Sequence, residues 1–141
     1  MPQRRSDLPK TWPAPEPPWL RMPAWFAGTA PEWAVYWSLL QEFGPDSAGV
    51  VWFFQSPFAG GRKFAGGAVL DFWLPDYQLG IRVQGLFWHA HAGGDKRASD
   101  MIQKAMLEAD GVTVIDVDED TALKSPRAAL RNALSGVDTS R

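Results

Sequence analysis

The 141-residue sequence has no cysteine, which excludes disulfides and thiolate zinc sites. No apolar run approaches the roughly 20 residues needed to span a bilayer, so no membrane partner is expected. The first residues have no apolar signal core, because Arg4, Arg5 and Asp7 lead straight into prolines. The expected setting is therefore the cytoplasm, or the inside of an assembly. Excess positive charge is also missing. Fourteen Lys and Arg against 16 Asp and Glu leave a net charge of −2, which argues against non-specific wrapping of nucleic acid but leaves room for a local basic groove. Histidine occurs only twice, at His89 and His91.

Aromatic and apolar residues are plentiful. An apolar fraction of 45% with 21% charged residues is that of a globular chain, and eight tryptophans supply large, stiff side chains to bury. The length suits one domain with an appendage. Residues 1–28 read as that appendage, a proline- and tryptophan-rich arm, and residues 29–141 as an α/β domain. Prolines at 2, 9, 13, 15, 17, 18 and 23 favour extended backbone over helix or central strand. Trp12, Trp19, Trp25 and Phe26 give the arm aromatic anchors. It either folds back over its own domain or docks on a neighbouring subunit or protein partner.

Periodicity sets out the domain. Thr29-Ala-Pro-Glu32 is a helix start, with Thr29 as N-cap and Glu32 completing a capping box. Trp33, Tyr36, Trp37, Leu40 and Phe43 follow at helical spacing until Gly44-Pro45. Val50–Phe54 predicts a buried strand, and residues 60–67 a glycine-rich loop with adjacent cations Arg62 and Lys63. That loop lacks the Gly-Lys-Ser/Thr ending of a P-loop, so a plain loop or a nucleic-acid backbone contact is expected. Strands are expected over 68–73 and 79–83, joined at Pro75-Asp76-Tyr77 in a hairpin. A helix over 98–109 has Ile102, Met106 and Ala109 as its apolar face, and Gly111 ends it. An interior strand over 112–117 leads to the acidic run Asp116, Asp118, Glu119 and Asp120, read as a solvated strand end and helix start rather than a calcium loop. A last helix covers 126–134. A crossover helix between strands implies parallel, right-handed pairing. The expected fold is a mixed central sheet of about four strands flanked by helices.

The chemistry concentrates in residues 70–91. Asp71 stands in an apolar run, where an ionised group needs a cation or hydrogen-bond partners, and two imidazoles lie past the next strand. The Pro31-Glu32 pair, the Asp71-Phe72 step and Gly85-Leu86-Phe87-Trp88-His89-Ala90-His91 together resemble the restriction-endonuclease-like superfamily. They are most similar to its very-short-patch mismatch-repair branch and to related small phage and bacterial domains. The resemblance covers about Thr29 to Leu123. It implies a metal-dependent DNA endonuclease in which Asp71 and the backbone carbonyl of Val83 bind Mg2+ (or Mn2+). His89 would activate or orient the attacking water, His91 would lie near the scissile phosphate, and Glu32 would orient a metal-bound water or a histidine. Arg62, Lys63, Lys96 and Arg97 would meet the DNA backbone. No zinc site is implied, because the branch's zinc-binding cysteines are missing. Where the wider superfamily carries an acid followed two positions later by lysine or an acid, this chain has Arg82 and Gln84. The alternative is therefore a nuclease-like module without catalysis, serving as a structural or binding part of an assembly such as a phage particle.

Overall fold

A computed structural model describes residues 15–55, 58–59, 62–63, 70–84 and 94–136; for residues 58, 59, 62, 63, 94–97, 99 and 100 it describes only the backbone. Helix α1 (Ala30–Phe43) starts and stops where the sequence predicts. The Thr29 amide donates to Glu32 Oε1 at 2.9 Å, and the Glu32 amide donates to Thr29 Oγ1 at 3.3 Å. This reciprocal capping box satisfies two of the donors that a helix start leaves unpaired.

The expected strand over 50–54 is shorter than its apolar pattern suggests. The Ser47 carbonyl accepts from the amides of Val50 (3.0 Å) and Val51 (2.8 Å). Gly49 turns the chain at φ +77°, and Val50 is left 73% exposed. Only β1 (Phe53–Phe54) remains as strand. Trp52 just before it is fully buried, its indole N–H donating to Ser47 Oγ at 2.8 Å.

A short antiparallel ribbon, β2 (Phe58–Ala59) with β3 (Arg62–Lys63), stands where a loop was expected around Arg62 and Lys63. Strand β4 (Phe72–Leu74) pairs antiparallel with β1 and with β5 (Leu79–Gln84), with Phe72 opposite Ile81. The Pro75–Tyr77 turn joins β4 to β5 as predicted.

Helix α2 (Gly94–Ala109) begins four residues before the expected start at 98. It closes in a Schellman motif: the Val112 amide donates to the Leu107 carbonyl and that of Gly111 to Glu108, with Gly111 at φ +85°. Leu107 and Val112 are buried in the same cluster, which is the apolar contact that accompanies this motif. Strand β6 (Thr113–Asp118) then runs parallel to β5, as a crossover helix implies. The sheet order is β1-β4-β5-β6. The helix start read in the acidic run is that of a short helix, α3 (Glu119–Lys124), capped by Asp118, and α4 (Pro126–Leu134) follows.

Helices cover both faces of the sheet. Phe72, Leu74, Ile81 and Val117 pack with residues of α1, α3 and α4. On the other face Leu70, Trp73 and Val114 pack with Leu107 of α2. Gly80 lies on that second face because nothing larger fits: a Cβ there would stand 2.4 Å from Leu70 Cδ1.

One member of the acidic run was misplaced. Asp116 is not part of a solvated end but only 6% exposed on this face. It accepts from Arg82 Nε at 2.7 Å and Nη2 at 3.0 Å, and Lys104 Nζ of α2 lies 3.8 Å away. Arg82 and Asp116 are register partners on adjacent strands, so the ladder itself sets up this bidentate pair.

Residues 15–28 fold back over the domain, the first of the two readings of the arm. The Trp19 indole donates to the Leu123 carbonyl at 2.6 Å, and its ring lies 5.3 Å from that of Trp37. Phe26 is buried, stacked on Phe54 at 4.9 Å. Residues 1–14 lie outside the described residues.

Candidate active site

Two carboxyls meet where the first turn of α1 approaches the start of β4. Glu32 is the third residue of α1, held there by the capping box, and is itself buried. Asp71 sits in a bend just before β4, where the chain enters the sheet. Asp71 Oδ2 accepts from the Val83 amide at 2.7 Å, so the hairpin partner strand orients it. Glu32 lies close enough for its charge to act on Asp71.

Gln55 ties the pair together. Its amide donates to the Asp71 carbonyl at 2.9 Å, and its side-chain Nε2 donates to Glu32 Oε2 at 2.9 Å. To make both contacts it adopts a left-handed backbone with φ +49°, uncommon for a residue other than glycine and typical of functional sites. Sequence reasoning missed Gln55, since a glutamine after an aromatic run carries no motif. The one available signal is its position as the first polar residue after Phe53-Phe54.

Burial pushes the Asp71 carboxyl up to about 7 from its usual 3.8, opposed by the Val83 N–H. The charge of Glu32 adds to the rise, and the charge of Arg82 works against it. Asp71 thus keeps its proton until about neutral pH, as expected of a desolvated carboxyl close to a second acid.

The donor set suits a hard divalent cation in place of that proton. Mg2+ is commonly held by one or two carboxylates, with water filling the remaining positions. Glu32 and Asp71 supply two such groups. The amide of Val83, the residue expected to contribute its carbonyl, donates to Asp71. Among the described residues no cluster of three or more His, Cys, Asp or Glu forms a fuller cage.

A cavity of about 360 Å³ is walled by Trp25, Phe26, Tyr36, Trp52 and Phe54, sequence neighbours of the site rather than its carboxyls. Phe54 precedes Gln55, and Tyr36 lies one turn beyond Glu32. Trp25 stands at 67% exposure, edge-on to Trp33 and Tyr36.

The structure thus brings together Glu32, Asp71 and the Val83 backbone. His89 and His91 lie outside the described residues, as do the side chains of Arg62, Lys63, Lys96 and Arg97. Arg82 forms its ion pair with Asp116. Gln84 ends β5 with its Oε1 buried and without a partner among the described residues. Comparison with known families, with curated proteins and with solved structures finds no match.

Proposed function

We propose that this chain is a metal-dependent DNA endonuclease that hydrolyses a phosphodiester bond, with Glu32 and Asp71 as its acidic centre. The observation that carries the reading is the carboxyl pair, Glu32 buried and Asp71 partly so, each held in orientation by the Val83 amide, Gln55 and the helix cap. In this reading Asp71 and Glu32 bind a Mg2+ ion, which supplies Lewis-acid polarisation of the phosphate and a more acidic bound water. The Val83 amide keeps Asp71 turned toward the metal position, and Gln55 with the Thr29 amide keeps Glu32 there. His89, beyond the end of β5, serves as the base that takes the proton of the attacking water. The aromatic walls of the cavity offer stacking surfaces for unpaired bases, which bind without sequence preference.

A second reading has its own observation. Arg82 stands on the third strand of the sheet, where an acid was expected, and makes a bidentate pair with Asp116. That fits a nuclease-like module without catalysis, a binding or structural part of a larger assembly such as a phage particle. Such a module would dock through residues 1–14 and the exposed face of Trp25.

Supercoiled DNA separates the two. The protein is incubated with it and Mg2+ or Mn2+, beside Asp71→Ala and His89→Ala. Nicking that is abolished by a chelator, and reduced on the order of 100-fold or more by either substitution, is expected. Equal background nicking by all three proteins sinks the endonuclease reading and leaves the module.

A further inference from the structure

Helix α2 turns its apolar stripe away from the domain. Ala98, Met101, Ile102, Ala105, Met106 and Ala109 recur at helical spacing and are all exposed, Met101 at 70% and Ile102 at 59%. A surface helix ordinarily sets such a stripe against its own core. Here the inward side is narrow: Leu107 is buried and Lys104 reaches Asp116 at 3.8 Å. The buried Arg82–Asp116 pair beneath the helix favours Lys104 on that side, and the apolar stripe is left outside.

We propose that this stripe is the contact between two copies of the chain, their α2 helices packed antiparallel about a two-fold axis near Gln103. The charge pattern selects a second copy as occupant. Positions 97 and 108 are eleven residues apart, three turns, and so share one flank of the stripe; positions 96, 103 and 110 recur every seven residues along the other. Each flank begins with a cation, Arg97 or Lys96, and ends with an acid, Glu108 or Asp110. A perpendicular two-fold axis sets each flank against itself with its direction reversed, so that the position of Arg97 meets Glu108 of the second copy and that of Lys96 meets Asp110. The midpoints of both charge pairs and of the apolar stripe all fall between positions 102 and 104. One axis therefore satisfies all three, which is the self-complementarity an isologous contact needs. A parallel arrangement would set like charges together. The three alanines allow close approach of the helix axes, and the two methionines adapt to fill what remains. The stripe is about 18 Å long at 1.5 Å per residue, the size of a weak, concentration-dependent contact rather than an obligate one.

Sedimentation velocity of the full chain from micromolar to millimolar concentration tests this, independently of any nuclease activity. The expected result is a monomer–dimer equilibrium that Ile102→Glu removes across the range without changing the thermal melt. Arg97→Glu and Glu108→Arg should each weaken the dimer. An equimolar mixture of those two should restore it, since both contacts of the mixed dimer then pair opposite charges. A wild-type chain that stays monomeric throughout overturns the proposal and assigns the stripe to another segment or another protein. So does a dimer indifferent to Ile102→Glu, or a mixture no tighter than either variant alone.

Discussion

Replacing Asp71 with asparagine should flatten the dependence of stability on pH. In the folded chain Asp71 keeps its proton up to about pH 7, against 3.8 as the ordinary value taken for the unfolded chain. Below 3.8 both states hold the proton and the group contributes no difference. As pH rises from there, the unfolded chain releases the proton and the folded chain does not, so the unfolded state gains. The loss of stability grows up to about pH 7 and is constant above it. A shift of about three pH units at 1.36 kcal/mol each amounts to at most about 4 kcal/mol. The asparagine of the variant would keep the acceptor for the Val83 amide and offer Glu32 an N–H, yet carries no titrating proton. Wild type and Asp71→Asn should therefore have similar stability near pH 4 and diverge toward pH 8, the variant becoming the more stable. Urea titrations followed by tryptophan fluorescence, with chelator present throughout, read this directly. With slopes of about 1–3 kcal/mol per molar urea, the midpoints at pH 8 should differ by about 1 M or more. Parallel curves from pH 4 to 8 would refute a proton held on Asp71 to neutral pH. Adding Mg2+ at pH 8 should then stabilise the wild type, by about 2.7 kcal/mol at a hundredfold excess over its dissociation constant, and leave Asp71→Asn unchanged.

Two further outcomes concern the frame around the site. Arg82→Met should destabilise the chain by about 3–5 kcal/mol by leaving Asp116 buried with only the more distant Lys104. Adding Asp116→Leu should recover most of that loss, and a double-mutant cycle in urea with no coupling would contradict the pair. Gly80→Ala should cost about 1–3 kcal/mol, because its methyl group meets Leu70, the residue before Asp71. If the melting temperature is unchanged, Leu70 is not held as tightly as its burial implies.

The elements fixed by local chemistry were legible in the sequence. Thr29 and Glu32 mark the start of α1 because a capping box involves only neighbours, and Gly111 marks the end of α2 because few other residues tolerate its backbone angles. The parallel β5–β6 pair follows from the crossover connection. What depended on distant partners was not legible. Val50 and Val51 have the composition of a buried strand, yet the Ser47 carbonyl captures both amides in a turn. Asp116 looks like one more acid in a run until its strand register puts Arg82 beside it. The stripe of α2 was visible, but its outward direction was not, because periodicity says which residues share a face and not what that face meets. At the site, Glu32 and Asp71 were found through residue pattern, whereas Gln55 acts through a backbone angle and two contacts far along the chain.

The capping box at the start of α1 also bears on how the chain can vary. A long acidic side chain normally surrenders on the order of 1.5–2 kcal/mol of rotamer entropy when a ligand immobilises it. Glu32 surrenders it on folding, since the Thr29 amide and Gln55 already hold both of its oxygens. Any ligand that engages this acid meets a group with its orientation already chosen. The same economy binds two properties to one position: a substitution at 32 that leaves the helix start intact must still accept the Thr29 amide, which among uncharged residues points to glutamine. Drift at residue 29 would cost the helix start its side-chain cap, while any residue but proline keeps the amide that holds the acid.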